Sequence, residues 1–189
     1  MIAYNSNASQ VIGIMKDDLL NLMSKENTDK LLRRVATTLT AVMHKRVHVD
    51  GLDANENPIG TYSKAYMAVR TGVYKNSERF TKGKNKGNVK NAGVSRKGIE
   101  RKKYNRNSDT KVILSLTKQM EIDLAVCEQN PIQTSYGYAI GYQNDFNYQK
   151  LIWNELKYKK PILTVLSKKE ELLIDEIVKK GLENDRRSN

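Results

Sequence analysis

Cysteine is almost absent from this sequence: Cys127 stands alone, which excludes an intrachain disulfide and leaves nothing that argues for an oxidising compartment. Its setting, the apolar run LAVC, predicts a buried thiol and not a reactive one. No stretch of 18 apolar residues exists, so no membrane partner is expected. The opening residues MIAYNSNASQ lack the charged, apolar and small-residue order of a signal peptide, so a protein made and kept, or assembled, in a cytoplasm is expected. Hydrophobic residues reach only 39% of 189, enough for a modest core in a single domain spanning 1–189.

The chemistry of catalysis is equally scarce. The chain has no GxxxxGK[ST] loop, no GxGxxG after a strand, no GxSxG, no HExxH and no cysteine cluster. GKNKG at Gly83 to Gly87 has the composition of a phosphate loop but is followed by NVKNAG, which is no helix. Of two histidines, His44 and His48 share one helix face, but only Asp50 stands near as a third ligand, so no metal site is expected. The carboxylates Asp17, Asp18, Asp50, Asp53, Asp109, Glu121 and Asp123 are scattered, and Asp17-Asp18 and Glu121-x-Asp123 suit exposed faces better than a nuclease centre. No enzyme, no catalytic residue and no cofactor are expected.

What is abundant is positive charge, in one place. From Arg70 to Arg106 the chain carries 13 Lys and Arg against Glu78 and Glu100, so almost all of the net +12 resides there. The same segment holds five of the 11 glycines and few aliphatics, a composition that cannot offset its ordering entropy by burial. Lys82, Lys84, Lys86, Lys90, Arg96, Lys97, Arg101, Lys102, Lys103 and Arg106 are its candidate interface residues, facing either an assembly partner or DNA.

The flanking sequence predicts an α+β fold. Val11, Ile12, Met15, Leu19, Leu22 and Met23 give a helix over about 9–24, and Leu32, Val35, Leu39, Val42 and Met43 a second over about 28–46. DGLDANENPIGTY is turn-rich, and Tyr62 to Val73 is a short amphipathic piece of either kind. After the basic arm, inserted at about 70–110, KVILSL reads as a strand, LTKQMEID as a turn or short helix, and LAVCEQ with YGYAIGYQ as a hairpin around NPIQTS. DFNYQKLIWNE reads as a helix and PILTVL as one more strand. Ser167-Lys-Lys-Glu170 has the form of a capping box opening a final helix to about Leu182, after which NDRRSN is expected to fray. The expectation is two N-terminal helices, a small antiparallel sheet, a long basic extended arm or hairpin, and a C-terminal helix.

The order NPIGTYSKAYMAVR, long insertion, VILSLTKQMEIDLAV, YGYAIGYQ, proline with an aliphatic run, and SKKEELLIDEIV resembles the tailed-bacteriophage virion-morphogenesis or tail-completion proteins. Gly60 and Tyr62 stand where that family tends to have Gly and an aromatic, and Tyr138-Ala139 matches a frequent Tyr-Ala. Leu114, Thr117 and Met120 follow its strand, Thr-Gly and Leu, but Lys118 replaces the glycine, and the basic segment is longer than a usual family loop. The resemblance implies a structural virion protein of the neck, head–tail connector or tail terminus. It implies a homo-oligomeric ring of six or twelve subunits that meets the portal, an adaptor or an adjacent neck or tail ring, with DNA in the channel.

Two other readings compete. A non-enzymatic nucleic-acid-binding protein could use the 70–106 segment, although Phe80 and Tyr104 are sparse stacking platforms and no helix-turn-helix or zinc finger appears. A small nuclease, or a nuclease inhibitor, is the third.

Overall fold

The computed structural model describes residues 15–16, 19–20, 23–74, 79–88, 90, 93–94, 99–101, 103–106, 108–115, 117–135 and 137–188. The fold is α+β. It divides into two compact units, one made of Met1–Gly60 with Ile113–Asn189 and the other of Thr61–Val112. The second contains the basic arm and begins upstream of it. Of the first expected helix, Met15, Lys16, Leu19 and Leu20 are described and are helical, and the rest lies outside the described residues.

Helix α1, Lys25–His44, starts where Ser24 caps it, its Oγ accepting from the Asn27 amide at 3.2 Å. Leu31, Leu32, Val35, Ala36, Leu39 and Met43 form its buried stripe. The chain then widens into a π-helical turn, Lys45–Val49, which buries Arg46, Val47 and His48 in succession. Around α1 pack α3, Gln119–Gln129, and α5, Lys168–Ser188. Gly181 makes the second approach close: a Cβ there would stand 2.6 Å from Leu31 Cδ1. Leu39 is fully buried, so Leu39→Ala should cost about 2–5 kcal/mol in chemical denaturation. Ile113, in the same core by sequence, is only half-buried, and the inward residue of KVILSL is Val112. Its truncation should cost correspondingly less.

The short elements depart from the sequence pattern. LAVCEQ is not a strand but the second half of α3, because Met120, Leu124 and Cys127 recur at helical spacing and are the residues that helix buries. The second expected strand, YGYAIGYQ, does hold β2, Gly137–Ala139, but its antiparallel partner β1, Ile132–Thr134, lies inside the expected loop NPIQTS, in the register Ile132 with Ala139. The described residues of KVILSL form only a lone bridge, from Lys111 to Thr61, and the extended run is broken at Leu114, whose φ is +47°. PILTVL is a loop held by one carboxylate. Glu155, on α4 (Asp145–Tyr158), accepts from the amides of Ile162, Leu163 and Thr164 at 2.6, 3.0 and 3.2 Å. Those donors are satisfied by a side chain, so no neighbouring strand is needed.

The capping box is formed as the sequence predicts. The Ser167 amide donates to Glu170 Oε2 at 2.7 Å, and the Glu170 amide to Ser167 Oγ at 3.3 Å. The helix does not stop near Leu182 but runs on to Ser188. Lys118 precedes α3 with φ +63°, in the left-handed region. That conformation costs an L-residue about 1 kcal/mol or more relative to glycine. Lys118→Gly is therefore expected to raise stability, or leave it unchanged, where most surface glycine substitutions lower it. Thermal melting of the two proteins checks this.

Candidate basic interface

The unit Thr61–Val112 contains 15 Lys and Arg against Glu78, Glu100 and Asp109, a net +12. The other unit has 18 of each sign, so the whole net charge of the protein belongs to the smaller unit. Helix α2, Lys64–Thr71, opens it, capped by Ser63 Oγ on the Tyr66 amide at 3.2 Å. Gly72 ends it at φ +73°, where a Cβ would press 2.9 Å from Lys103 Cβ, so only glycine fits this return of the chain. The returning strand lies along the helix start and end: the Tyr62 amide donates to Thr110 O and the Arg106 amide to Arg70 O, each at 2.8 Å. Among the described residues these pairings are isolated and form no continuous ladder.

Residues 79–88 close on themselves. The Phe80 amide donates to Asn88 O at 3.0 Å, the Gly87 amide to Phe80 O at 2.9 Å, and Arg79 Nη1 to Gly87 O at 2.6 Å. Gly83 and Gly87 take φ of +80° and +88°, which lets the loop turn twice within its ten residues. Every residue of it is exposed, and Lys82, Lys84 and Lys86 project from it with no ion pair to a described residue. Three ammonium groups on a short closed loop raise the local potential in a way that a random coil of the same composition does not.

The remaining candidates divide. Lys90 is half-buried with its Nζ 5.8 Å from the Phe80 ring centre, Arg101 is exposed over Tyr74 at 6.0 Å, and Lys103 is exposed. Arg106 is half-buried along the return strand. Arg96, Lys97 and Lys102 lie outside the described residues. Arg70, part of the same charge run, does something different: it is 1% exposed, stacked 4.5 Å over the Tyr62 ring, with its Nη1 3.4 Å from the Tyr62 hydroxyl. The signal for that role was the pair Tyr62 and Tyr66 upstream, whose rings stand 4.8 Å apart.

The larger unit holds the other concentration of titratable groups. Arg46 Nε meets Glu170 Oε1 at 2.8 Å, with both side chains buried, and Arg46 Nη1 donates to Ile162 O at 2.8 Å. His48 is held between the Ile113 carbonyl, 3.1 Å from Nδ1, and the Tyr142 hydroxyl, 3.0 Å from Nε2. A carbonyl only accepts, so Nδ1 carries the proton and Nε2 receives the Tyr142 O–H. Burial is the main cause that holds the imidazole down at about 4. Burial likewise pushes the Cys127 thiol up. Both ring nitrogens are engaged inside the protein, so this histidine is built to hold the core together. No group of three or more His, Cys, Asp or Glu suited to a metal ion occurs among the described residues, and no described helix is long and apolar enough to cross a membrane. A small cleft of about 250 Å³ beside α1 and α5 has a mixed lining, with Met23 and Leu31 beside Lys30, Arg34 and Asp185.

Comparison with family models, with curated proteins and with solved structures finds no match. The likeness to tail-completion proteins therefore rests on the order of the sequence pieces.

Proposed function

We propose that this chain is a non-enzymatic structural protein of a tailed-bacteriophage virion, a ring subunit of the neck, head–tail connector or tail terminus. The unit Thr61–Val112 is its docking element. The observation that carries this reading is the separation of charge: a net +12 confined to a small unit, beside a larger unit with equal numbers of each sign. The neutral unit carries the helical core, and the basic unit offers Lys82, Lys84 and Lys86 to an anionic surface. Lys118 adds support, because it takes the left-handed conformation that glycine favours at the position where the resemblance has glycine.

Counting copies of this chain per portal subunit, by quantitative mass spectrometry of gradient-purified particles, tests the reading. Roughly one ring per particle is expected, and absence from intact particles would overturn it. Deleting Lys82 to Lys103 should leave the larger unit folded while stopping the assembly of infectious particles. If instead the purified protein binds duplex DNA with a steep salt dependence, neutralising three lysines should flatten the slope of log K against log salt by about 2.7. Lys82→Ala, Lys84→Ala and Lys86→Ala together supply that comparison. Such a result with no particle phenotype would favour the nucleic-acid-binding reading.

A further inference from the structure

Helix α4 buries Asn147 and Leu151 on one side and leaves an apolar stripe on the other. Phe146, Trp153 and Leu156 are 60%, 57% and 69% exposed. Together they present on the order of 400 Å² of apolar surface, a size at which patches on soluble proteins are usually functional. The stripe is ordered: the Phe146 and Trp153 rings meet edge to face, 6.4 Å between centres.

Its spacing says what kind of element fits. Phe146, Gln149, Trp153 and Leu156 follow one another at three, four and three residues, the seam of two heptads, and a seam with that period is complementary to another helix. Lys150 and Lys157 occupy the same flanking position in both heptads. Lys150 is fixed there, with Nζ 4.4 Å over the Phe146 ring and bonded to Gln119 Oε1 at 3.0 Å and Asn147 Oδ1 at 3.1 Å. Lys157 is exposed, 5.0 Å over the Tyr158 ring. Of the two carboxylates on this helix, Glu155 is turned away and committed to the 162–164 loop, and Asp145 is exposed in the first turn at the opposite edge of the seam. A second α4 laid antiparallel would set lysine against lysine.

We propose that the outer face of α4 docks a helix of another protein, with an apolar stripe at heptad spacing and carboxylates along the edge that meets Lys150 and Lys157. Burial of Trp153 and Leu156 supplies the affinity, and the two lysines select an acidic partner over a basic one. The inference is independent of the role of the basic unit.

The test uses the full chain and two designed helical peptides of about three heptads, identical but for Glu or Lys at the flanking positions. Trp153 is the only tryptophan, so its emission reports this face alone. The Glu peptide is expected to shift that emission to the blue and to bind at least about tenfold more tightly than the Lys peptide. By fluorescence anisotropy of labelled peptide, Trp153→Ala should weaken binding by about tenfold or more. Lys157→Glu, at an exposed position that folding does not need, should narrow or reverse the preference. Equal binding of the two peptides, or binding of neither, overturns the proposal. Self-association that disappears in Trp153→Ala also overturns it, and assigns the face to a second copy of the chain.

Discussion

Glu170→Ala is expected to destabilise the protein by about 3–5 kcal/mol. Glu170 is wholly buried and makes two kinds of contact at once. Its carboxylate meets Arg46 at 2.8 and 3.3 Å, and the same group accepts the Ser167 amide at 2.7 Å to cap α5. Alanine leaves a guanidinium 6% exposed with carbonyl acceptors, Leu52 O and Ile162 O, and removes the carboxylate half of the capping box of a 21-residue helix, while the Ser167 Oγ cap on the backbone amide of residue 170 remains. The two losses are separable. Replacing both charges, Arg46→Met with Glu170→Leu, removes the desolvation cost along with the attraction, so the double variant should recover most of the stability. Urea unfolding of the three proteins decides the matter. A loss under 1 kcal/mol for Glu170→Ala would mean that the pair is hydrated and contributes little.

Acid will unfold this protein partly through His48. In the folded state the imidazole is held at about 4, below its ordinary 6.5, mainly by burial and also by repulsion from His44, against the Ile113 carbonyl and Glu121, which act the other way. The unfolded chain therefore binds one more proton than the folded chain between those values. Stability due to this residue is complete above about pH 6.5, falls as the pH drops, and is lost by about pH 4, a change of about 3 kcal/mol. Protonation also inverts the Tyr142 contact, since an imidazolium Nε2 must donate where it now accepts. The measurement is the urea midpoint from pH 7 to 4 for the native protein and for His48→Gln, whose amide keeps a donor and an acceptor. The native protein should lose stability more steeply, by one proton. Parallel curves would show that His48 titrates normally.

How much of this was legible in advance follows the range of the interaction. The stripe of α1, the cap at Ser167 and the basic run are set by residues a few positions apart, and they stand where the pattern puts them, although α1 starts at Lys25 and not near Thr28. The three short apolar segments did not. LAVC, VILSL and PILTVL each have too few residues to separate a period of two from one of 3.6. Which they adopt was decided by α1 lying against Leu124 and Cys127, by the left-handed turn at Leu114, and by the Glu155 carboxylate.

The candidate interface divides the same way. That Lys82, Lys84 and Lys86 are solvent-facing follows from composition, because nothing near them can bury. That Arg70 leaves the charged surface to stack on Tyr62 does not, since it requires the last turn of α2 to bring Arg70 over a ring that precedes the helix cap. By itself the sequence determined the α+β class, the starts of α4 and α5 and the location of the charge, all of which depend on local spacing and solvation. Only the tertiary structure decided the Arg46–Glu170 pair, 124 residues apart, the tautomer of His48 and the uncovered face of α4. Those depend on which distant groups share a low-dielectric interior, and that is a property of packing alone.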